Sequence, residues 1–523
     1  MVLKKRITCL FFYIFLTIKL YFVSITHIKF LKSQREYADD EGMRLLKINI
    51  FFIYFCLFIL PAFSLKTSKN LKDLLFEISY ENESENNIPI IPFESIPDSS
   101  AVRRSVAKTW LLASPEEILK LEPTIYYDNN GKGFKFMAVF LKEREEIAIV
   151  VTPLNTDFTS TQDYVPQGTW VLYRDYNTGK AISLRIYPRE NPELYLRLSP
   201  AREDMTYLDV CLFNAYVKKR YPIGLSFNTL CYFSISQLRS FTNDSLPWDL
   251  FNPPSFSSTV EACSDIIAER LSTLVYLEDG GFDEWGVPIH LKDGRKQTNQ
   301  EIIYQLREVQ DAESVAGGVN AYGFLKWIID GMVRPVAGQG VFVKSLITQT
   351  EKNKSQFNTT AEDNEIFLGL DWIRNLSAAA LTMHLKRPCT PLASGVDVKI
   401  EPFASAPIMT IKEEKVKYES FEGCLSSAGY QTAYLQALLY YLAVTEPGHF
   451  YLGAVNREVG SSPLRQYSHV VSFFPYFDAL GAFHIDVYES AKKTNISNFI
   501  SMNQDAFVAL TRVKAPERGL FNP

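Results

Sequence analysis

Between residues 133 and 242 apolar and polar side chains alternate, which is the pattern of β-strands with one buried face. The alternation is clearest in five segments, 134–140, 147–152, 169–175, 181–187 and 194–198. Asn177-Thr178-Gly179, between two of these segments, has the composition of a hairpin turn. Short strands at this spacing predict a small antiparallel sandwich or barrel, and we assign residues 116–256 to this β-rich module.

From residue 257 onward the apolar positions recur at helical spacing instead. Helices are predicted after the capping box Ser258-Thr259-Val260-Glu261, over 301–309, over 320–332, and over 430–443, which is apolar nearly all round and should be buried. Strands are predicted at 449–456, 467–474 and 482–489. The sequence therefore predicts an α+β domain over 257–523. Residues 345–418, with one helix near 365–385, are predicted to be an insertion.

The first 64 residues differ from the rest of the chain. They hold two apolar stretches, 7–28 and 48–60. The second follows a basic segment that starts at Met43, and it ends with small residues, Ala62 and Ser64, at the −3 and −1 positions of a cleavage site. This layout predicts a signal peptide over 43–64, a true start at Met43, and a periplasmic or secreted protein. The alternative is an uncleaved segment, or two membrane helices, that would anchor the protein to the membrane.

Composition narrows the function. The chain has 523 residues, 47% apolar and 22% charged, which is a globular balance. Residues 65–115 are polar and predicted to be a linker, and residues 65–523 carry 45 Lys and Arg against 55 Asp and Glu. An acidic body of this kind argues against a nucleic-acid partner. With six histidines and no Walker-A, dinucleotide, HExxH or CxxC motif, we predict no metal and no cofactor. The five cysteines beyond the leader lack the spacing of a disulfide framework.

A glycine-rich loop, a helix and then histidine-bearing antiparallel strands follow one another in the order that a papain-like cysteine hydrolase requires. The segment 317–327 resembles the Asp-Cys-Ser-Gly-Phe/Leu-Val motif of the NlpC/P60 family of cell-wall cysteine peptidases. Ser468-His469-Val470-Val471-Ser472 resembles the family's His-Val strand, and Ala482-Phe483-His484-Ile485 resembles the next strand. The resemblance covers 314–489 outside the insertion. It implies a papain-like helix plus antiparallel sheet domain, with a groove for a peptidoglycan-like or peptide ligand.

The sequence departs from this family at the position that matters for catalysis. Ala321 stands where the nucleophilic cysteine is expected, with Asn320 before it and Tyr322 after it. Because a methyl group cannot attack a carbonyl, the resemblance implies a degenerate hydrolase that binds a ligand or scaffolds a partner without cleavage. Asn320, Tyr322 and Trp327 are then the expected binding residues.

Two other hypotheses stay open. In one, an active cysteine amidase or endopeptidase uses Cys424 as nucleophile and His469 as base, with His484 or Asp486 orienting the imidazole. Gly429 separates Cys424 from the next predicted helix, so the thiol lacks the helix amides that would lower its pKa. Cys424 is better explained as a small buried or surface-loop residue. His469 is equally explained as a hydrogen-bonded core histidine. In the third hypothesis the chain is a structural envelope protein without a ligand groove.

Overall fold

The structure is a computed structural model, and it describes residues 95–154, 165–252, 258–306, 315–351, 369–404, 407–408, 417–418, 423–425, 428–459 and 464–523. All of them belong to one compact unit, Asn70–Pro523. The predicted signal segment and most of the predicted linker lie outside the described residues.

Helices and antiparallel strands are mixed along the chain, which confirms the predicted α+β class. The helices are α1 (Ser100–Ser105), α2 (Pro115–Ile118), α3 (Phe227–Leu230), α4 (Ile235–Thr242), α5 (Ser258–Arg270), α6 (Asn299–Tyr304), α7 (Ala321–Ala337), α8 (Val343–Leu346), α9 (Gly369–Leu385), α10 (Leu435–Thr445) and α11 (Ile496–Met502). The strands of the N-terminal half are β1 (Thr124–Tyr127), β2 (Gly133–Leu141), β3 (Glu146–Pro153), β4 (Trp170–Asp175), β5 (Ala181–Ile186), β6 (Leu194–Arg202), β7 (Met205–Leu212) and β8 (Ala215–Ile223). The remaining strands are β9 (Leu274–Tyr276), β10 (Gly280–Phe282), β11 (Pro288–His290), β12 (Gly317–Val319), β13 (Pro407–Ile408), β14 (Lys417–Tyr418), β15 (Cys424–Leu425), β16 (Gly429–Gln431), β17 (His449–Val459), β18 (Leu464–Phe477), β19 (Phe483–Glu489), β20 (Lys492–Asn495) and β21 (Phe507–Lys514).

The N-terminal half is built on one antiparallel sheet in which β1 to β8 follow one another in chain order. Strict alternation sends Phe136, Ile149 and Leu172 to one face, where they join the larger core, and sends Val150 and Val171 to the other face. The antiparallel strands were predicted correctly. Within the described residues they form a single sheet rather than a closed barrel or a sandwich, because each strand pairs only with its neighbours along the chain.

The described end of the predicted linker is folded. Residues 100–105 form α1, and Trp110 in the following helical turn is 1% exposed. Its indole Nε1 donates to the Tyr126 hydroxyl at 3.1 Å. The polar composition of 65–115 therefore does not extend to residues 100–111, which cover the first sheet.

A seven-stranded sheet organises the C-terminal half, with the order β15-β16-β21-β17-β18-β19-β20. Helices α5, α7 and α9 pack on one of its faces, and α10 and α11 pack on the other. Helix α9 lies in the predicted insertion, yet Trp372, Ile373 and Leu376 within it are fully buried against the sheet. This helix is therefore part of the domain core.

Helix α10 connects the cores of the two halves. It begins at Leu435, later than predicted, because Tyr430 belongs to β16 and pairs with Val508 of β21. The predicted burial is confirmed: Tyr440 is fully buried and its hydroxyl donates to the Leu250 carbonyl at 2.5 Å. The apolar core on this side of the seven-stranded sheet is therefore continuous with the core of the first sheet. Among the described residues, no helix combines the length and the apolar character that crossing a membrane requires.

Candidate functional site

The N-terminus of α7, where the family motif places its nucleophile, is packed against other parts of the protein. Asn320 caps the helix: its Oδ1 accepts from the Gly323 amide at 2.8 Å and its Nδ2 donates to the Glu278 carbonyl at 2.9 Å. Ala321 is 7% exposed. A β-carbon added to Gly323 would lie 2.2 Å from the Gly280 carbonyl oxygen, so β10 passes directly against the first turn. The helix start is occupied by protein atoms.

The aromatic residues predicted to bind a ligand are core residues. Tyr322 is packed edge-on to Trp372, with ring centroids 5.5 Å apart. Trp327 is 7% exposed and stacks on Phe324 at 5.7 Å. Their rings fill the space between α7 and the neighbouring helix instead of lining an open groove.

His469 lies on the other face of the seven-stranded sheet from α7. Its cross-strand partner is Val455, and both Val455 and the alternate residue Val471 belong to the core shared with α10. The imidazole Nε2 is 2.7 Å from Glu489 Oε2. The structure therefore puts the sheet between His469 and Ala321, and it does not bring them together.

The strand register also separates His469 from Asp486. Asp486 pairs with Phe474, whereas the group that meets His469 is Glu489. The expectation that Asp486 orients the His469 imidazole is therefore wrong. Asp486 and His484 share the face of β19 that is turned towards α5.

Cys424 is remote from His469. Strands β16, β21 and β17 lie between β15 and β18, so four interstrand spacings of about 4.8 Å separate the two residues by roughly 19 Å. Burial raises the pKa of the Cys424 thiol, and Glu401 raises it further. A thiolate nucleophile needs the opposite environment. The structure does not assemble a Cys424–His469 pair.

The predicted residues His484 and Asp486 do belong to a polar site, which we call the acidic cluster. It contains four carboxylates, two rings and one lysine around the end of β18, the start of β19 and the first turns of α5: Glu261, Asp265, Tyr476, Asp478, His484, Asp486 and Lys493. His484 Nε2 lies 2.8 Å from Asp478 Oδ2, and the imidazole stacks on the Tyr476 ring with centroids 5.3 Å apart and planes inclined by 25°.

The base of the acidic cluster is held by buried hydrogen bonds. Ser264, fully buried on α5, places its hydroxyl 2.5 Å from Asp486 Oδ2 and 2.7 Å from the Tyr488 hydroxyl. The other Asp486 oxygen is 2.8 Å from Lys493 Nζ. The Tyr476 hydroxyl donates to Asp486 at 3.4 Å. Asp486 is thus fixed from three sides, while His484 above it is 45% exposed.

The carboxylates of the acidic cluster raise the proton affinity of their neighbours. Burial is the main cause that raises the pKa of Glu261, and the charges of Asp265, Asp478 and Asp486 raise it further. The pKa of Tyr476 is raised by burial and then by Asp486, Glu261 and Asp265. Negative charge is therefore concentrated around the Tyr476 ring.

The sequence predicts two of the seven residues of the acidic cluster as site residues. His484 and Asp486 were candidate orienting residues, whereas Glu261 was assigned only to a capping box. The sequence could not show that α5 contacts β19, because the Ser264–Asp486 hydrogen bond joins residues 222 positions apart. Within the described part of the chain, no three His, Cys, Asp or Glu side chains are grouped as a metal would require.

Comparison with known proteins gives one match. Residues 92–250 match the family model of a domain of unknown function (DUF8515). These residues correspond to α1 through α4 and the whole sheet of β1 to β8. No curated protein matches the chain, and no solved structure matches it.

Proposed function

We propose that this protein is an exported, non-catalytic binding protein that recognises a peptidoglycan-like or other peptide ligand through a free amino group at the acidic cluster. The observation that carries the proposal is the Tyr476–His484 ring stack bordered by four carboxylates. An ammonium group is attracted both by carboxylates and by the face of an aromatic ring.

The charge balance favours a cationic ligand. Lys493 pairs with Asp486, and Asp478 lies against the His484 imidazole. Glu261 and Asp265 have no such cation among the described residues. A ligand ammonium group would supply the positive charge that this cluster lacks.

Three features support binding without hydrolysis. The expected nucleophile position is occupied by the buried Ala321. The expected base, His469, is engaged with Glu489 on the other face of the sheet. Cys424 lies about four strand spacings from His469. The alternative of a cysteine amidase therefore requires groups that these contacts keep apart.

The binding test compares two forms of one short peptide, with a free and with an acetylated amino group, titrated calorimetrically into the full chain. The free amine should bind, and acetylation should weaken binding at least roughly tenfold, since a charge-assisted hydrogen bond is lost. Glu261→Gln should weaken binding of the free amine. Glu269→Gln, an exposed change further along α5, is the matched control and should bind as wild type does. Equal binding of the two peptide forms would exclude ammonium recognition.

The catalytic alternative is tested separately. Wild type, Cys424→Ser and Ala321→Cys should all fail to cleave peptidoglycan stem peptides. Cleavage by wild type that Cys424→Ser abolishes would establish a cysteine hydrolase and overturn the non-catalytic proposal.

Export is tested on the native protein. The layout of residues 43–64 predicts that the mature chain begins at Leu65. N-terminal sequencing of native material should therefore yield Leu65, and recovery of residues 1–42 in the mature protein would contradict cleavage.

A further inference from the structure

A second polar site lies where β17 begins and β21 ends, on the seven-stranded sheet that also carries the acidic cluster. It is a cavity of about 260 Å³ between α9, the segment 394–396 and the ends of β17 and β21. We call it the basic cavity, because the ionisable side chains that line it are His384, His449, Arg512 and Lys514. Ser377 and Ser394 add hydroxyl groups to its wall.

The basic cavity is assembled by regular structure. Ser377 and His384 are seven residues apart on α9, so they lie on one face of the helix. His449 and Lys514 are direct cross-strand partners on β17 and β21, which puts their side chains side by side. Arg512 precedes Lys514 by two residues on the same face of β21.

Arg512 is a structural part of the wall. Its Nε and Nη2 donate to the Glu446 carboxylate at 3.0 Å each, and its Nη1 donates to the carbonyls of Gly395 and Asp397. These bonds use four of the five guanidinium hydrogens. Arg512 and Glu446 therefore offset each other's charge, and Lys514 has no carboxylate partner among the described residues.

His449 presents a defined nitrogen to the site. Its Nδ1 lies 3.1 Å from the Glu446 carbonyl oxygen, and because a carbonyl can only accept, Nδ1 must carry a proton. Nε2 is then bare in the neutral ring and becomes a donor when the ring is protonated. One added proton therefore turns the His449–Lys514 pair into two adjacent positive donors.

We propose that the basic cavity binds a small tetrahedral dianion, the phosphate or sulfate group of a low-molecular-weight ligand. The lining offers positive charge and the Ser394 hydroxyl, with no carboxylate among the lining residues. The Ser377 hydroxyl donates to Thr511 Oγ1 at 2.8 Å and is part of the wall. The cavity is smaller than the ~300–1,000 Å³ of pockets for drug-sized ligands, which limits its occupant to such a group and a few further atoms. This site is independent of the amine recognition proposed above.

Binding should strengthen as the pH falls. The charged groups that face His449 are Glu446, Arg512 and Lys514, with His384 across the cavity. Burial lowers the pKa of His449, and the two cations lower it further against the opposing effect of Glu446. A bound dianion reverses this balance, so binding is coupled to proton uptake by His449.

The test titrates sodium sulfate into the full chain at constant ionic strength. Sulfate is chosen because it stays a dianion across the range, and histidine side-chain NMR follows His449 directly. Affinity should rise several-fold between about pH 8 and about pH 6. Lys514→Ala should weaken binding roughly tenfold, and His449→Gln should weaken it at the lower pH and abolish the pH dependence. Inorganic phosphate should compete with sulfate, whereas acetate should bind more weakly.

The matched control is Lys292→Ala, which removes an exposed lysine outside the cavity and should leave sulfate binding unchanged. Thermal melting verifies that each variant is folded. If a variant does not fold, the shift of the His449 resonance in wild type still decides the question. A wild-type chain in which sulfate and phosphate leave His449 unperturbed, or variants of Lys514 and His449 that bind as wild type does, would overturn the proposal. Equal binding of acetate and sulfate would overturn the dianion class.

Discussion

The acidic cluster and the basic cavity are carried by the same seven-stranded sheet, and they are built in different ways. At the acidic cluster the fixed element is a neutral hydroxyl, Ser264, buried beneath Asp486, and the charges lie above it in partial contact with solvent. At the basic cavity the fixed element is itself charged, since Arg512 is anchored by Glu446 and two carbonyls. One sheet can therefore carry a site of either charge. The loss of folding stability on mutation should depend on whether the buried residue that holds the site is itself charged.

The variant Arg512→Met should have the largest effect on stability and tests the role of the charged residue in the cavity wall. The variant leaves the half-buried Glu446 and the carbonyls of Gly395 and Asp397 without their donor, which should destabilise the protein by about 2–4 kcal/mol. Chemical denaturation measures the change. Lys493→Met, which removes a 42% exposed partner of Asp486, should cost less than about 1 kcal/mol. Equal costs would show that the charged support is not special.

The corresponding change at the acidic cluster is Ser264→Ala. It removes a fully buried donor from Asp486, although the Tyr488 hydroxyl keeps its bond to the Ser264 backbone carbonyl at 2.9 Å. The expected loss of stability is about 1–2 kcal/mol, measured by the same denaturation. Ser497→Ala, which changes an exposed serine on α11, is the control. A loss as large as that of Arg512→Met would contradict the ranking of the two supports.

The two sheets differ in how much of their structure the sequence predicts. Strands β2 to β6 were predicted close to their observed bounds, because one face of each is buried and the alternation is local. The face of His469 was not predictable. Both Val470 and Val471 are fully buried, on opposite faces of a sheet covered by helices on both sides, so the pattern does not say which face meets α7.

Tertiary placement explains the other differences. The cavity residues His384 and His449 are 65 positions apart in sequence. They meet because α9 packs across β17 and β21, a contact that no local pattern encodes. A domain boundary was predicted near residue 256. The apolar cores on the two sides of this boundary are continuous through α10.

At the basic cavity, His449 should make the folding stability depend on pH. Because burial lowers the pKa of His449, the unfolded chain binds its proton more readily, and stability is lost as the pH falls through the usual histidine range near 6.5. The loss should be less than about 1 kcal/mol after solvent screening. His449→Gln should remove it in melting curves recorded without sulfate or phosphate. An unchanged pH profile in the variant would assign the effect to another group.

The smallest expected effect has the opposite sign. The pKa of Glu261 is raised, chiefly by burial, so its ionisation opposes folding as the pH rises above the usual glutamate range. Glu261→Gln should therefore stabilise the protein at neutral pH by at most about 0.5 kcal/mol and have no effect in acid. Melting temperatures at the two pH values test this. A stabilisation that persists in acid would not come from charge.

The position of β21 has a consequence for how the chain folds during synthesis. Residues 507–514 are the last strand along the chain, yet they lie between β16 and β17 within the seven-stranded sheet. Each of the eight strands of the first sheet pairs with its neighbour along the chain, so this sheet can form strand by strand as the chain leaves the ribosome. The second sheet lacks the strand between β16 and β17 until residue 514 has been synthesised and has left the ribosome. A nascent chain halted before β21 should therefore expose the edges of β16 and β17, the stage at which a chaperone would be needed most.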